Sequence, residues 1–260
     1  MTNDRKKRAE RAELMRKERE KADKRQRNII TIVIVAVVVA LIAAFAWGFY
    51  VLSEDNAKST ELVAPQGATD DYGVLYTPQD AGAEDTEGDP VVVELYEDFL
   101  CPGCAAFEQA NGQFLNQAVA EGEISILYRP YAFLTGQSTN RYSQRAANAA
   151  ACVLDDSGVT AFKQMHDILF ANQPSEGGAG PEDDELADFA EQAGAGDIEQ
   201  CLRTEKFTPW VEKALERGQE EDVSGTPTVR IDGEDVSGAD EGTIPGPAEL
   251  QGAIEAAQAG

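Results

Sequence analysis

The sequence predicts an α/β domain of order βαβ, helical insertion, ββα, preceded by one N-terminal transmembrane helix. Three observations point there. A run of 24 residues without a charge, Ile29–Leu52, follows a basic head. A β-branched run, Val91-Val92-Val93, opens a stretch whose apolar period passes from strand to helix and later back to strand. Cys101-Pro102-Gly103-Cys104 stands at the first change from strand to helix.

The head, residues 1–28, carries 12 basic and six acidic residues, which leaves 10 basic against 41 acidic for the rest of the 260-residue chain. A body so acidic is repelled by phosphate backbones, so nucleic-acid binding is excluded. At about 1.5 Å per residue the 29–52 run spans roughly 36 Å, enough for a hydrocarbon core of about 30 Å. Trp47 and Tyr50 fall where an aromatic belt lies. The alternative is a signal peptide cleaved near Ala44-Phe45-Ala46, but secretory apolar cores run only about 7–15 residues. A basic head stays in the cytoplasm. The expectation is therefore a single-pass anchor in the cell membrane with residues 53–260 outside.

Residues 53–89 read as an acidic linker containing one short apolar run, Gly73–Tyr76, suited to an edge strand. The domain proper is expected over 90–260. Val91–Tyr96 reads as a buried strand. A helix from Cys101 to about Ala120 would bury Phe107, Phe114, Leu115 and Ala118, and Ile124–Tyr128 alternates as a second strand. The helical insertion, about 137–221, has Ala161, Met165, Ile168 and Leu169 on one face and Leu186, Phe189, Ala190 and Ala193 on another. Asp197 with Gln200 suggests a capping box, and Pro209 opens a further helix. Strand character returns at Pro227–Ile231, turns at Asp232-Gly233 and continues over Glu234–Val236. A last helix from Pro247 carries Leu250, Ile254 and Ala257.

At a strand–helix junction the C-x-x-C motif has a specific chemistry. Pro102 suits the first helical position, so Cys101 becomes the N-cap, at the positive end of the helix dipole. That placement favours thiolate and lowers a cysteine pKa from about 8.5 into a range of roughly 3.5–7.5. Cys104, one turn inward, would be the resolving thiol in exchange through a mixed disulfide. A zinc site completed by Cys152 and Cys201 is the alternative, but neither stands in a second C-x-x-C or near a histidine. A structural 101–104 bridge would close too short a loop to add much. Of three possible connectivities, 101–104 with 152–201 is expected, against free buried thiols at 152 and 201, because the exterior is oxidising. In Ser224-Gly225-Thr226-Pro227-Thr228 a cis bond would expose the Thr226 backbone, with an ordinary trans proline as the default. No metal and no cofactor are expected.

The run FLCPGCAAF after VVVELYED, with SGTPTVRIDG further on, resembles the DsbA-like branch of the thioredoxin superfamily, and most of all its membrane-anchored bacterial envelope members. The resemblance covers about residues 73–259. It implies a thioredoxin fold with an inserted helical domain, Cys101 as nucleophile, Cys104 as resolving thiol, and Pro227 as a cis-proline beside them. It also implies that Thr226 pairs its backbone with the substrate chain, and it supports the 152–201 bridge. Two residues depart from the pattern. Leu95 stands where many relatives have a buried carboxylate, and Glu94 falls on the opposite face of the strand. Gly103 replaces the histidine of the best-known oxidase, so a milder oxidant is expected. Glu97 and Asp98 are expected to be solvated, and His166, the only histidine, to be a non-catalytic surface or core residue.

The activity this implies is extracytoplasmic thiol–disulfide exchange that introduces disulfides into exported, unfolded proteins, with a membrane reoxidase of the DsbB or VKOR type as partner. The alternatives are a disulfide reductase or isomerase, and a non-catalytic thioredoxin-fold module that binds peptides through Thr226.

Overall fold

A computed structural model describes residues 41, 58, 60–83, 89–240 and 242–259. Contacts divide the chain into Met1–Asn56 and Ala57–Gly260, and the fold below is that of the second unit. The basic head and, Leu41 apart, the expected 29–52 anchor lie outside the described residues. Among the described residues no helix is long and apolar enough to cross a membrane.

Strand β2 (Val91–Glu97), helix α1 (Pro102–Ala120) and strand β3 (Ile124–Pro130) form a βαβ unit, with β2 and β3 parallel and Val93 opposite Ile126. Strand β1 (Val74–Tyr76), inside the segment read as a linker, adds antiparallel to the free edge of β3. On the other side β4 (Thr228–Ile231) runs antiparallel to β2, and β5 (Glu234–Asp235) closes the sheet in the order β1-β3-β2-β4-β5. Asp232 (φ 54°) and Gly233 (φ 79°) make the two-residue hairpin turn between β4 and β5. Both central residues need positive φ there, and Asp-Gly tolerates it. Val93, Leu95, Ile124, Ile126, Val229 and Ile231 are buried between the sheet and its helices. Helix α6 (Pro247–Gln258) packs on β2, β4 and α1, burying Leu250 and Ile254.

The insertion holds α2 (Tyr142–Ala171), α3 (Asp183–Gln192), α4 (Glu199–Arg203) and α5 (Thr208–Glu220). The first half of α2, Tyr142 to Leu154, is buried throughout because α3, α4 and α5 wrap it. Its small alanines let those helices approach closely. Gly158 (φ 79°, ψ −173°) interrupts α2 at mid-length, where the helix bends. Two details differ from the sequence reading. Phe114 and Ile168 are half-buried at the edge of the core. The capping box at Asp197 does not form. Ile198, buried in the core, becomes the N-cap, and the Asp197 carboxylate accepts from the Glu199 N–H at 2.9 Å.

The described part of segment 53–89 is packed on the domain. Lys58 pairs with Glu205 at 2.9 Å, the Gln66 N–H donates to Asp155, and the Tyr72 ring lies 6.4 Å from that of Trp210. Within the insertion, Cys152 of α2 and Cys201 of α4 form a disulfide across 49 residues of chain. Closing a loop of that length removes enough denatured-state entropy to stabilise by roughly 4 kcal/mol in the chain-entropy model. Replacing both cysteines with serine is expected to lower the unfolding free energy by about 2–4 kcal/mol. Urea titration of the non-reduced protein and the double variant measures the difference.

Candidate active site

The approach to Cys101 is folded by Asp98. Its two carboxylate oxygens accept from the Leu100 N–H at 2.8 Å and the Leu134 N–H at 2.7 Å, and its carbonyl accepts from the Cys101 N–H at 2.9 Å. Burial raises the Asp98 pKa, and the two amide bonds oppose that rise. The side chain is 1% exposed, a correction to its expected solvation; it is buried because it serves as an internal cap for two loops. From the far end of α2, Gln173 donates to the carbonyls of Phe99 and Cys101, each at 3.0 Å. The residue that leads into α1 is thus held from three directions.

Cys101 occupies the N-cap of α1 in extended backbone conformation, with Pro102 at the helix start. Both Cys101 and Cys104 are free thiols, so this is the dithiol state. The Cys101 pKa is lowered to about 6, chiefly by a hydrogen bond from the Cys104 side chain. Partial burial opposes this, while the Thr226 side chain and the Cys104 and Gly103 amides assist it. The sulfur makes no capping hydrogen bond by strict geometry, so those amides act as nearby dipoles. Cys104 is fully buried and its pKa is raised well above the ordinary thiol value, first by desolvation, then by its bond to Cys101 and by the charge of Glu97. One sulfur is prepared to ionise and its neighbour to keep its proton.

Thr226-Pro227, 125 residues beyond Cys101, returns to the same point through a cis peptide bond. The Cys101 thiol donates to the Thr226 carbonyl at 3.3 Å. Gly103 completes the contact: a Cβ there would stand 3.2 Å from Pro227 Cδ and 3.5 Å from Cys101 Sγ. A surface groove of about 340 Å³ runs past Gly103, Thr226, Pro227 and Ile244, whose side chain is exposed. The structure therefore gathers Cys101, Pro102, Gly103, Cys104, Thr226 and Pro227 at one place. Cys152 and Cys201 are paired with each other in the insertion.

Sequence reasoning missed the residues behind the cysteines. Glu97 was expected to be solvated and is 6% exposed, its carboxylate 3.0 Å from His166 Nε2. Glu97 lies two positions beyond Leu95 in β2, so it shares the buried face that Glu94 does not. Extending β2 by one residue past Tyr96 would have revealed it. His166 is 2% exposed and walled by the rings of Phe99, Tyr128, Phe162 and Phe170. Its partners on other elements carry no mark in the local sequence.

The thioredoxin family model matches residues 81–256. Oxidised DsbA of Mycobacterium tuberculosis is 33% identical, superposes with a TM-score of 0.59, and is matched over 71% of this chain and 91% of its own. Reduced DsbG of the same organism is 30% identical with a TM-score of 0.53, over 78% of this chain and 92% of its own. Among curated proteins, the serine/threonine-protein kinase PknE of M. tuberculosis is 30% identical over 110 residues, 41% of this chain and 19% of the kinase. The chain thus spans about a fifth of the length of that relative.

The thiol asymmetry has a signed pH consequence. A folded-state pKa of about 6 against 9.0 for an ordinary thiol stabilises the dithiol form fully above about pH 9. That advantage is lost as pH falls through 6. Between those limits the resistance of the dithiol form to unfolding increases as pH rises, while that of the disulfide form carries no such contribution, since the disulfide has no thiol to titrate. Iodoacetamide alkylation of Cys101 is expected to show a midpoint near pH 6, with Cys104 unmodified. Thr226→Val should move that midpoint upward, and an unchanged profile would remove Thr226 from the account.

Proposed function

We propose, on the premise that the chain belongs to the thioredoxin family and to its DsbA-like thiol–disulfide oxidoreductases, that it introduces disulfides into exported proteins outside the cell membrane. The observation that carries the oxidising direction is the pairing of a Cys101 pKa near 6 with a buried Cys104 that holds its proton. A stabilised Cys101 thiolate is a good leaving group and favours the reduced enzyme, which makes its disulfide a donor.

The reaction runs in two exchanges. A substrate thiolate attacks Cys101 Sγ in the 101–104 disulfide, forming a substrate–Cys101 bond and releasing Cys104, which takes up a proton. A second substrate thiolate then attacks the substrate sulfur of that mixed disulfide. The substrate leaves oxidised by two electrons and the enzyme retains the Cys101 thiolate with the Cys104 thiol. The backbone of Thr226 and the groove along Gly103, Pro227 and Ile244 suit an extended substrate segment with its sulfur over Cys101. Reoxidation of the dithiol needs a two-electron acceptor at the membrane, for which a quinone-linked partner of DsbB or VKOR type is the proposal. Support for the location is the uncharged 29–52 run behind a basic head.

A reduction potential between roughly −120 and −200 mV is expected, and a value near −270 mV would assign the chain to reduction instead. Cys104→Ser should accumulate mixed disulfides with exported proteins, seen on non-reducing gels, and Cys101→Ser should capture none. Equal function in the Cys101→Ser strain would favour a non-catalytic peptide binder.

A further inference from the structure

We propose that Glu97, Glu108 and His166 form a binding site for one divalent metal ion on the inner side of the active-site helix. The three residues come from the end of β2, from α1 and from α2, and one donor atom of each lies within 4.8 Å of the others. Glu97 Oε2 and His166 Nε2 are 3.0 Å apart. An ion about 2.1 Å from each donor sets neighbouring donors roughly 3–3.4 Å apart, so this edge already has the spacing. Glu108, within 4.8 Å of both, closes the third side by a small side-chain shift.

A second observation points to a cation. Glu97 Oε1 and Glu108 Oε1 are both buried without a hydrogen-bond partner. Buried acceptors without donors are costly, and here two carboxylates from different elements share that condition at one spot. A cation bound by Glu108 and by both oxygens of Glu97 satisfies them together. The far side of the imidazole is arranged for the same purpose. His166 Nδ1 faces Asp167 Oδ1 at 3.3 Å, and Lys163 Nζ is 2.7 Å from both Asp167 oxygens. A carboxylate behind a ligating histidine fixes its tautomer and strengthens the other nitrogen as a donor.

The approach is past Glu108, which with Asp167, Pro102, Ala105 and Phe170 lines a groove of about 880 Å³ along α1, while Glu97 and His166 lie buried behind it. Two carboxylates and one imidazole suit an ion such as Mn²⁺ or Zn²⁺ more than a thiolate-seeking one. Burial lowers the His166 pKa, but hydrogen bonds to Asp167 and Glu97 more than offset this and bring it to about 9, so the ion enters by displacing the imidazole proton. Two carboxylates and the resulting neutral imidazole then balance a dication. The site is distinct from a four-cysteine zinc arrangement, which the 152–201 disulfide rules out.

The test uses the untagged full-length chain with the 101–104 pair oxidised, so that no thiol competes, titrated with MnCl₂ in detergent, 150 mM salt and excess Mg²⁺ (conditions chosen at about physiological ionic strength to suppress loose surface binding). One Mn²⁺ per chain is expected, with nitrogen-14 modulation in its electron spin-echo spectrum. That modulation identifies His166, the chain's only histidine. Glu108→Gln and Asp167→Asn should weaken binding roughly tenfold or more, while Glu191→Gln on the exposed face of α3 should not. Absence of binding overturns the proposal, as does bound Mn²⁺ without nitrogen modulation, which would place it on surface carboxylates. Unaltered affinity in a folded Glu108→Gln variant also overturns it. Should that variant misfold, the modulation in the unaltered chain decides alone.

Discussion

Contact between the N-terminus of α1 and the cis Thr226-Pro227 turn is the constraint on which the rest of the site depends. The helix end supplies oriented amides around Cys101, and the turn supplies the Thr226 carbonyl at 3.3 Å. Neither segment holds this position alone. Gln173 ties the helix end to the insertion and Asp98 ties it to the loop after β3, while pairing of β4 with β2 carries the turn back beside it. Gly103 leaves the two segments room to meet, since a Cβ there would stand 3.2 Å from Pro227 Cδ, tighter than an ordinary contact.

The insertion is more than an accessory laid on a redox core. Helix α2 contributes His166 to the buried face of β2, and its C-terminal flank contributes Gln173 to the cysteine loop. The same helix carries Cys152, paired with Cys201, on the other side of the Gly158 bend from His166. Packing of the 58–83 segment against α2 and α5 extends this tie toward the start of the domain. Stability of the insertion and geometry of the cysteines are therefore linked through one helix.

Charge is distributed in two layers. The exterior is strongly acidic, while the interior behind the cysteines brings Glu97, Glu108 and His166 close together beside aromatic rings, with buried Lys163 paired to Asp167. In that low-dielectric setting single charges act strongly on their neighbours. Glu97 raises the pKa of Cys104, and with desolvation it keeps the second thiol protonated while the first ionises. The difference between two chemically identical side chains arises from depth: Cys101 stands at the helix tip and Cys104 one turn into the core.

Element order, the βαβ and ββα halves, the N-cap role of Cys101 and the Asp232-Gly233 hairpin were legible because each rests on local periodicity or on backbone preferences of adjacent residues. The same local rules misplaced the α4 cap, where burial of Ile198 outweighed the capping preference of Asp197. They also failed for Glu97, Asp98 and His166, whose burial comes from residues 36 and 69 positions away in the chain. A single strand residue on the core face looks solvent-exposed until another element covers it. By itself the sequence determined which residues turn, pair and ionise first; only the tertiary structure decided which charges lose water, because desolvation is set by neighbours distant along the chain.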